Sequence, residues 1–173
     1  MASMNAIEIL IDLARRPQES AEMLRDSLTP ELLDAHPHHD NSIAWLLWHA
    51  ARELDEQLSA LSGEEAVWTA QGFDRRFGLD LDEHAMGYGD TAEQARAVRV
   101  DDPELLLDHL GAVVDAQVAY LETLDETALG EVIDEQWDPP VTRASRLVSI
   151  SVDAAEHVGQ AAYITGMGAA AFE

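Results

Sequence analysis

The chain has 173 residues, enough for one domain, and its 47% hydrophobic and 25% charged residues are the make-up of a globular protein rather than a disordered one. Its ten basic residues are all Arg and stand against 34 Asp and Glu, a formal net charge of −24; that field repels phosphate backbones and anionic bilayers, so neither nucleic acid nor membrane is expected as a partner. Cys is absent, which excludes disulfides, a thiolate zinc site and a catalytic cysteine, and leaves thiol chemistry dependent on a thiol brought from outside.

The longest apolar stretches, around positions 43–48 and 161–167, fall far short of the ~20 residues of a membrane helix. The first four residues have neither a basic n-region nor an apolar h-region, so no secretory signal is expected there. Met1-Ala2-Ser3 ahead of a second Met reads as a cloning remnant, and a cytoplasmic location follows by default.

Four segments carry the 3.6-residue apolar period and none of useful length alternates as a strand would, which predicts an all-α protein in one domain, residues 1–173. The first segment covers residues 5–28 through Ile7, Leu10, Ile11, Ala14, Ala21 and Leu24, with a kink or break expected at Pro17. Thr29-Pro30-Glu31 then reads as a cap, a first-turn proline and an acidic first turn, opening a short helix over 31–34. The second long helix is expected to start after Asp40 or Asn41 and to stop at Gly63, with Ile43, Leu47, Ala50, Leu54, Leu58 and Leu61 as its main stripe. Residues 63–102 hold Gly72, Gly78, Gly87 and Gly89 and little periodicity, so they read as a long connection with a helical turn near 91–98. Asp102-Pro103-Glu104 opens a third helix to about residue 124, and Thr142 caps a fourth that runs to Gly166 or Gly168. Four such helices with one long crossover between the second and third describe a four-helix bundle.

Chemistry concentrates on the fourth helix. At roughly 100° per residue, Leu147, Ile150, Ala154, His157, Val158, Ala161 and Ile164 share an apolar arc with Asp153 at its edge, one turn before His157. A carboxylate facing a core must be paired, protonated, solvated or bound to a cation. Asp and His at i and i+4 can share a divalent metal, although the pair alone reads first as a structural Asp–His hydrogen bond. His49 is the best candidate for a third ligand from a facing helix, even though it lies off the main stripe of its own helix, beside Ser42, Leu46 and Glu53. His36, His38 and His39 sit on a Pro-containing loop, His84 on another, and His109 on a charged flank beside Asp108; none of these is expected to bind metal. Trp45, Trp48, Trp68 and Trp137 read as core or as pocket wall.

Several separated stretches then form a recognisable series: Asn41-Ser42-Ile43-Ala44-Trp45-Leu46-Leu47-Trp48-His49 through Asp55, Arg76-Phe77-Gly78, Gly87-Tyr88-Gly89, Asp102-Pro103-Glu104-Leu105-Leu106, Trp137-Asp138-Pro139-Pro140-Val141-Thr142, and His157-Val158-Gly159-Gln160-Ala161-Ala162-Tyr163. Together they resemble the actinobacterial mycothiol-transferase branch of the DinB-like superfamily over nearly the whole chain. The resemblance implies a four-helix bundle with one divalent metal, zinc before nickel, held by a histidine of the second helix and two residues one turn apart on the fourth, here His49, Asp153 and His157. Many relatives carry His at the place of Asp153, and Thr165 stands where many carry Arg. Glu53, Asp55 and Glu156 are candidates for supporting the ligands, and Trp45, Trp137, Gln160 and Tyr163 for lining the pocket. What the resemblance implies about activity is transfer of a low-molecular-weight thiol, mycothiol as cosubstrate, to an electrophile in a detoxification-type role, with no acid or base yet assigned; a homodimer is allowed. Metal-dependent hydrolysis by a bound water is the alternative, and a non-catalytic ligand-binding or stress-response bundle the third reading.

Overall fold

The structure is a computed structural model and describes residues 4–172; Met1-Ala2-Ser3 lie outside the described residues. Four long helices form it: α1 (Ala6–Glu22), α3 (Ile43–Ser62), α7 (Pro103–Glu122) and α9 (Arg143–Met167). α1 packs on α7 and α9, and α3 packs on the same two, which closes a ring of four helices around one core. Short helices occupy the connections: α2 (Pro30–Leu33), then α4 (Val67–Ala70), α5 (Phe73–Phe77) and α6 (Ala92–Ala97) within the α3–α7 crossover, and α8 (Glu126–Leu129) before α9. Among the described residues no helix is long and apolar enough to cross a membrane.

Local chemistry sets the ends. Asn5 and Glu8 form a capping box for α1, Asp102 with Pro103 opens α7, Thr142 caps α9, and Gly63 ends α3 in the left-handed region at φ 76°. The cap of α3 is Ser42, in extended backbone and with its hydroxyl accepting from the Trp45 N–H, rather than Asp40 or Asn41; all three residue types can cap, and Ser42 is the one that immediately precedes the first helical residue.

Two further expectations, a break at Pro17 and a charged-flank position for His109, are corrected. α1 continues through Pro17 and ends at Glu22, because Pro17 lies on the buried stripe with Leu10, Ala14 and Ala21, where packing on two helices offsets the ~3 kcal/mol cost of an interior proline. The all-α reading holds: beside the helices the described residues contain one small antiparallel pair, β1 (Val132–Asp134) and β2 (Val141–Thr142), too short for alternation to register in the sequence. His109 is wholly buried instead of lying on a charged flank, since α4 and α5 fold over the outer side of α7 and place Trp68, Phe73 and Phe77 around its ring.

Candidate metal centre

α3 and α9 pack against each other, and each presents two donors one turn apart: His49 and Glu53 on α3, Asp153 and His157 on α9. One donor atom from each of the four lies within 4.8 Å of all the others, a gathering of His and acidic groups that is single among the described residues. Nε2 of His49 stands 3.2 Å from Oε2 of Glu53 and 3.1 Å from Nε2 of His157. Nε2 of His157 is 3.7 Å from Oδ1 of Asp153, too far for the Asp–His hydrogen bond that is the simplest reading of that spacing.

The opposite ring nitrogens decide what this geometry means. Nδ1 of His49 donates to the Met86 carbonyl, and Nδ1 of His157 faces Oε1 of Gln160 at 3.2 Å. A backbone carbonyl only accepts, so the His49 proton belongs on Nδ1 and its Nε2 turns a lone pair toward Nε2 of His157, for which the Gln160 side-chain oxygen offers the same arrangement. Beside them, Oδ2 of Asp153 is buried without any hydrogen-bond partner. Lone pairs and a carboxylate aimed at one point repel each other until a cation or a proton lies between them. Nitrogen and oxygen ligands held ~2.0 to 2.2 Å from one divalent ion stand roughly 3.3 to 3.6 Å apart, and the separations of 3.1, 3.2 and 3.7 Å lie close to that, with all four donor atoms within 4.8 Å of one another.

Electrostatics agree. Burial lowers the pKa of His49, helped by His157 across from it, which keeps the ring in the neutral form a metal requires. Glu53 is pushed up to about 7, first by desolvation and then by the Asp153 carboxylate next to it. Two carboxyls that resist joint ionisation are what a bound cation relieves.

The sequence matches the mycothiol-S-transferase family over residues 12–166. The chain belongs to the mycothiol-S-transferase family. The crystal structure of a conserved protein from Enterococcus faecalis is similar to it, with 37% identity, a TM-score of 0.85, and coverage of 95% of this chain and 97% of that one. No curated protein matches the chain.

Within this mycothiol-S-transferase family member, His49 is almost fully buried, although its place off the α3 stripe pointed to a flank. The crossover covers that flank: α3 is buried continuously from Ile43 to Arg52, and Met86, Gly87 and Asp90 lie over His49 and Trp45. Trp45 stacks on the His49 ring at 4.5 Å and donates from Nε1 to Asp90 at 3.1 Å.

His157 is shared with the wall of a 590 Å³ groove that His39, Asn41, Leu46, Glu156, Gln160 and Tyr163 also line. The residues expected around the site therefore separate. Glu53 lies inside the donor cluster itself, Gln160 touches a cluster histidine, and Glu156 and Tyr163 line the groove. Asp55 points elsewhere: six residues beyond His49, about 240° around the helix, it accepts the backbone N–H groups of Val67 and Trp68 at 2.8 Å. Trp137 is 65% exposed in the β1–β2 connection and belongs to neither the cluster nor the groove wall. The Met86 carbonyl was not foreseeable as a partner of His49, since a backbone oxygen in a weakly periodic loop leaves no mark in a sequence. Glu53 did leave one, because His49 and Glu53 repeat the i, i+4 spacing of Asp153 and His157.

Proposed function

We propose that the chain is a cytoplasmic, metal-dependent S-transferase of detoxification type. It joins a low-molecular-weight thiol, mycothiol, to an electrophile, with His49, Asp153 and His157 holding one divalent ion, zinc before nickel. The observation that supports this is the convergence of four donor atoms, with an orphaned carboxylate oxygen among them, beside an open groove in a chain without Cys. A divalent ion held there supplies positive charge that favours the thiolate over the thiol near neutral pH.

The chain's own residues supply the remainder. Met86 and Gln160 fix the ring orientation of His49 and His157. Glu53, 3.2 Å from Nε2 of His49, accepts the thiol proton at Oε2. The sulfur then forms a bond to the electrophilic carbon as the leaving group departs with its electron pair, and the proton on Glu53 passes to that leaving group. His39, Asn41, Gln160 and Tyr163 give the groove hydrogen-bonding groups for a polar thiol carrier.

The test is thiol consumption with a panel of electrophiles, run below the pH at which the free thiol reacts. Mycothiol is expected to be consumed faster than glutathione, and His49→Ala to abolish the reaction. Metal-replete protein that cleaves esters or amides with water alone, and shows no thiol dependence across the panel, replaces this reading with a hydrolase.

A further inference from the structure

Arg52 stands one turn beyond His49 and has no exposed surface. A guanidinium is costly to bury, and here it both pairs with the Glu56 carboxylate and reaches across to a loop. Its Nε donates to the Ala85 carbonyl at 3.0 Å, and its Nη2 to the Glu83 carbonyl at 2.8 Å and to Glu56 at 2.7 Å. Nη1 has no hydrogen-bond partner and lies 3.6 Å from Asp55, and the guanidinium stacks over Trp68 at 4.8 Å. Two carbonyls of one short segment are thus tied to α3, and the next residue in that segment is Met86, whose carbonyl receives the Nδ1 proton of His49. The loop then turns at Gly87, at φ 91°, where no side chain intervenes between the backbone and His49.

We propose that Arg52 is a positioning residue for His49: by fastening the backbone of residues 83–85 it sets the Met86 carbonyl against Nδ1, which holds the His49 proton there and leaves Nε2 free toward Asp153 and His157. This rests on reading His49 as a metal ligand, and it adds a residue that touches neither the metal cluster nor the groove. The arrangement carries a consequence that general stabilisation of the bundle does not. Asp55, three residues on, also ties the crossover to α3 through Val67 and Trp68, yet makes no contact with the segment that holds His49. Removing either anchor loosens the crossover, but only the loss of Arg52 releases the ring.

The experiment compares the full-length wild type with Arg52→Met, Arg52→Lys and Asp55→Asn. The His49 tautomer is read in metal-free protein at pH 8 by long-range proton–nitrogen NMR of the imidazole rings, and zinc affinity by competition with a chromophoric chelator. Arg52→Met is expected to turn a single Nδ1–H tautomer into a mixture and to weaken zinc binding roughly tenfold or more, the usual loss when the partner of a ligating histidine is disturbed. Arg52→Lys, which keeps the charge and can reach one carbonyl, is expected to fall between, and it carries the test if Arg52→Met does not fold. Asp55→Asn is expected to lower the melting temperature while tautomer and zinc affinity stay at wild-type values. An unchanged His49 tautomer in both Arg52 variants, or an equal loss of zinc affinity in Asp55→Asn, overturns the proposal. A wild type that binds no zinc removes the metal reading instead, and the tautomer measurement still decides the role of Arg52.

Discussion

A Cβ placed on Gly87 would come within 2.8 Å of Nδ1 of His49 and 2.9 Å of the Trp45 ring. The crossover therefore runs as close to the α3 histidine as a backbone can, and this closeness brings the Met86 carbonyl into hydrogen-bonding range. Gly87→Ala combines that clash with a positive φ and is expected to destabilise the protein by about 1 to 3 kcal/mol. Urea denaturation measures the loss; a variant within 0.3 kcal/mol, about the error of such a comparison, would show that the loop yields freely.

With the metal at the proposed site, metal content should be sensitive to the cluster's members and indifferent to other histidines. Asp153→Ala and His157→Ala should each lower the ion-to-protein ratio of protein purified without a His tag, whereas His38→Ala, on the separate loop that carries His36 and His39, should leave it unchanged. Elemental analysis by mass spectrometry reads the ratio, and equal occupancy in all three variants would discard the cluster as the site.

Chelation should lower the melting temperature without unfolding the protein at 25 °C. The ring of α1, α7, α3 and α9 buries a core of its own, so a bound ion adds stability in proportion to its occupancy and is not the source of the fold. Far-ultraviolet circular dichroism before and after chelator checks this; collapse of the helical signal is the contrary result.

His109 adds a pH dependence at a distance from the cluster. It is wholly buried among Trp68, Phe73 and Phe77, neither ring nitrogen has a partner, and burial, with Arg52 and Arg76 nearby, pushes its pKa down to about 3. In the unfolded chain the ordinary value is about 6.5. Between those values the unfolded state binds a proton that the folded state refuses, so this contribution to stability is present above about 6.5 and is lost progressively as pH falls toward 3. From pH 7.5 to 5.5 the loss from this one group amounts to about 1.4 kcal/mol. His109→Phe should therefore lose less stability than the wild type over that interval by about this amount, measured as urea midpoints at the two pH values.

Much of the fold was legible because it depends on local rules. The apolar period in four segments, Pro103 behind Asp102, Thr142 ahead of α9 and Gly63 behind α3 locate the long helices without reference to anything distant in the chain. The same period puts Asp153 and His157 on one face of α9, and a carboxylate beside a core announces itself through its desolvation cost. What the tertiary structure alone decided is which surfaces become interior. Helical periodicity describes one face of a helix, whereas α3 from Ile43 to Arg52 is buried on all sides because the crossover closes over the flank left by α7 and α9. That closure buries His49, sets the Met86 carbonyl on its ring and buries Arg52; a second closure, by α4 and α5, turns His109 from an apparent surface residue into a core one. Both depend on contacts between residues tens of positions apart, the first made by backbone carbonyls and Gly87 and the second by the rings of Trp68, Phe73 and Phe77, and none of these carries in the sequence a record of what it will face.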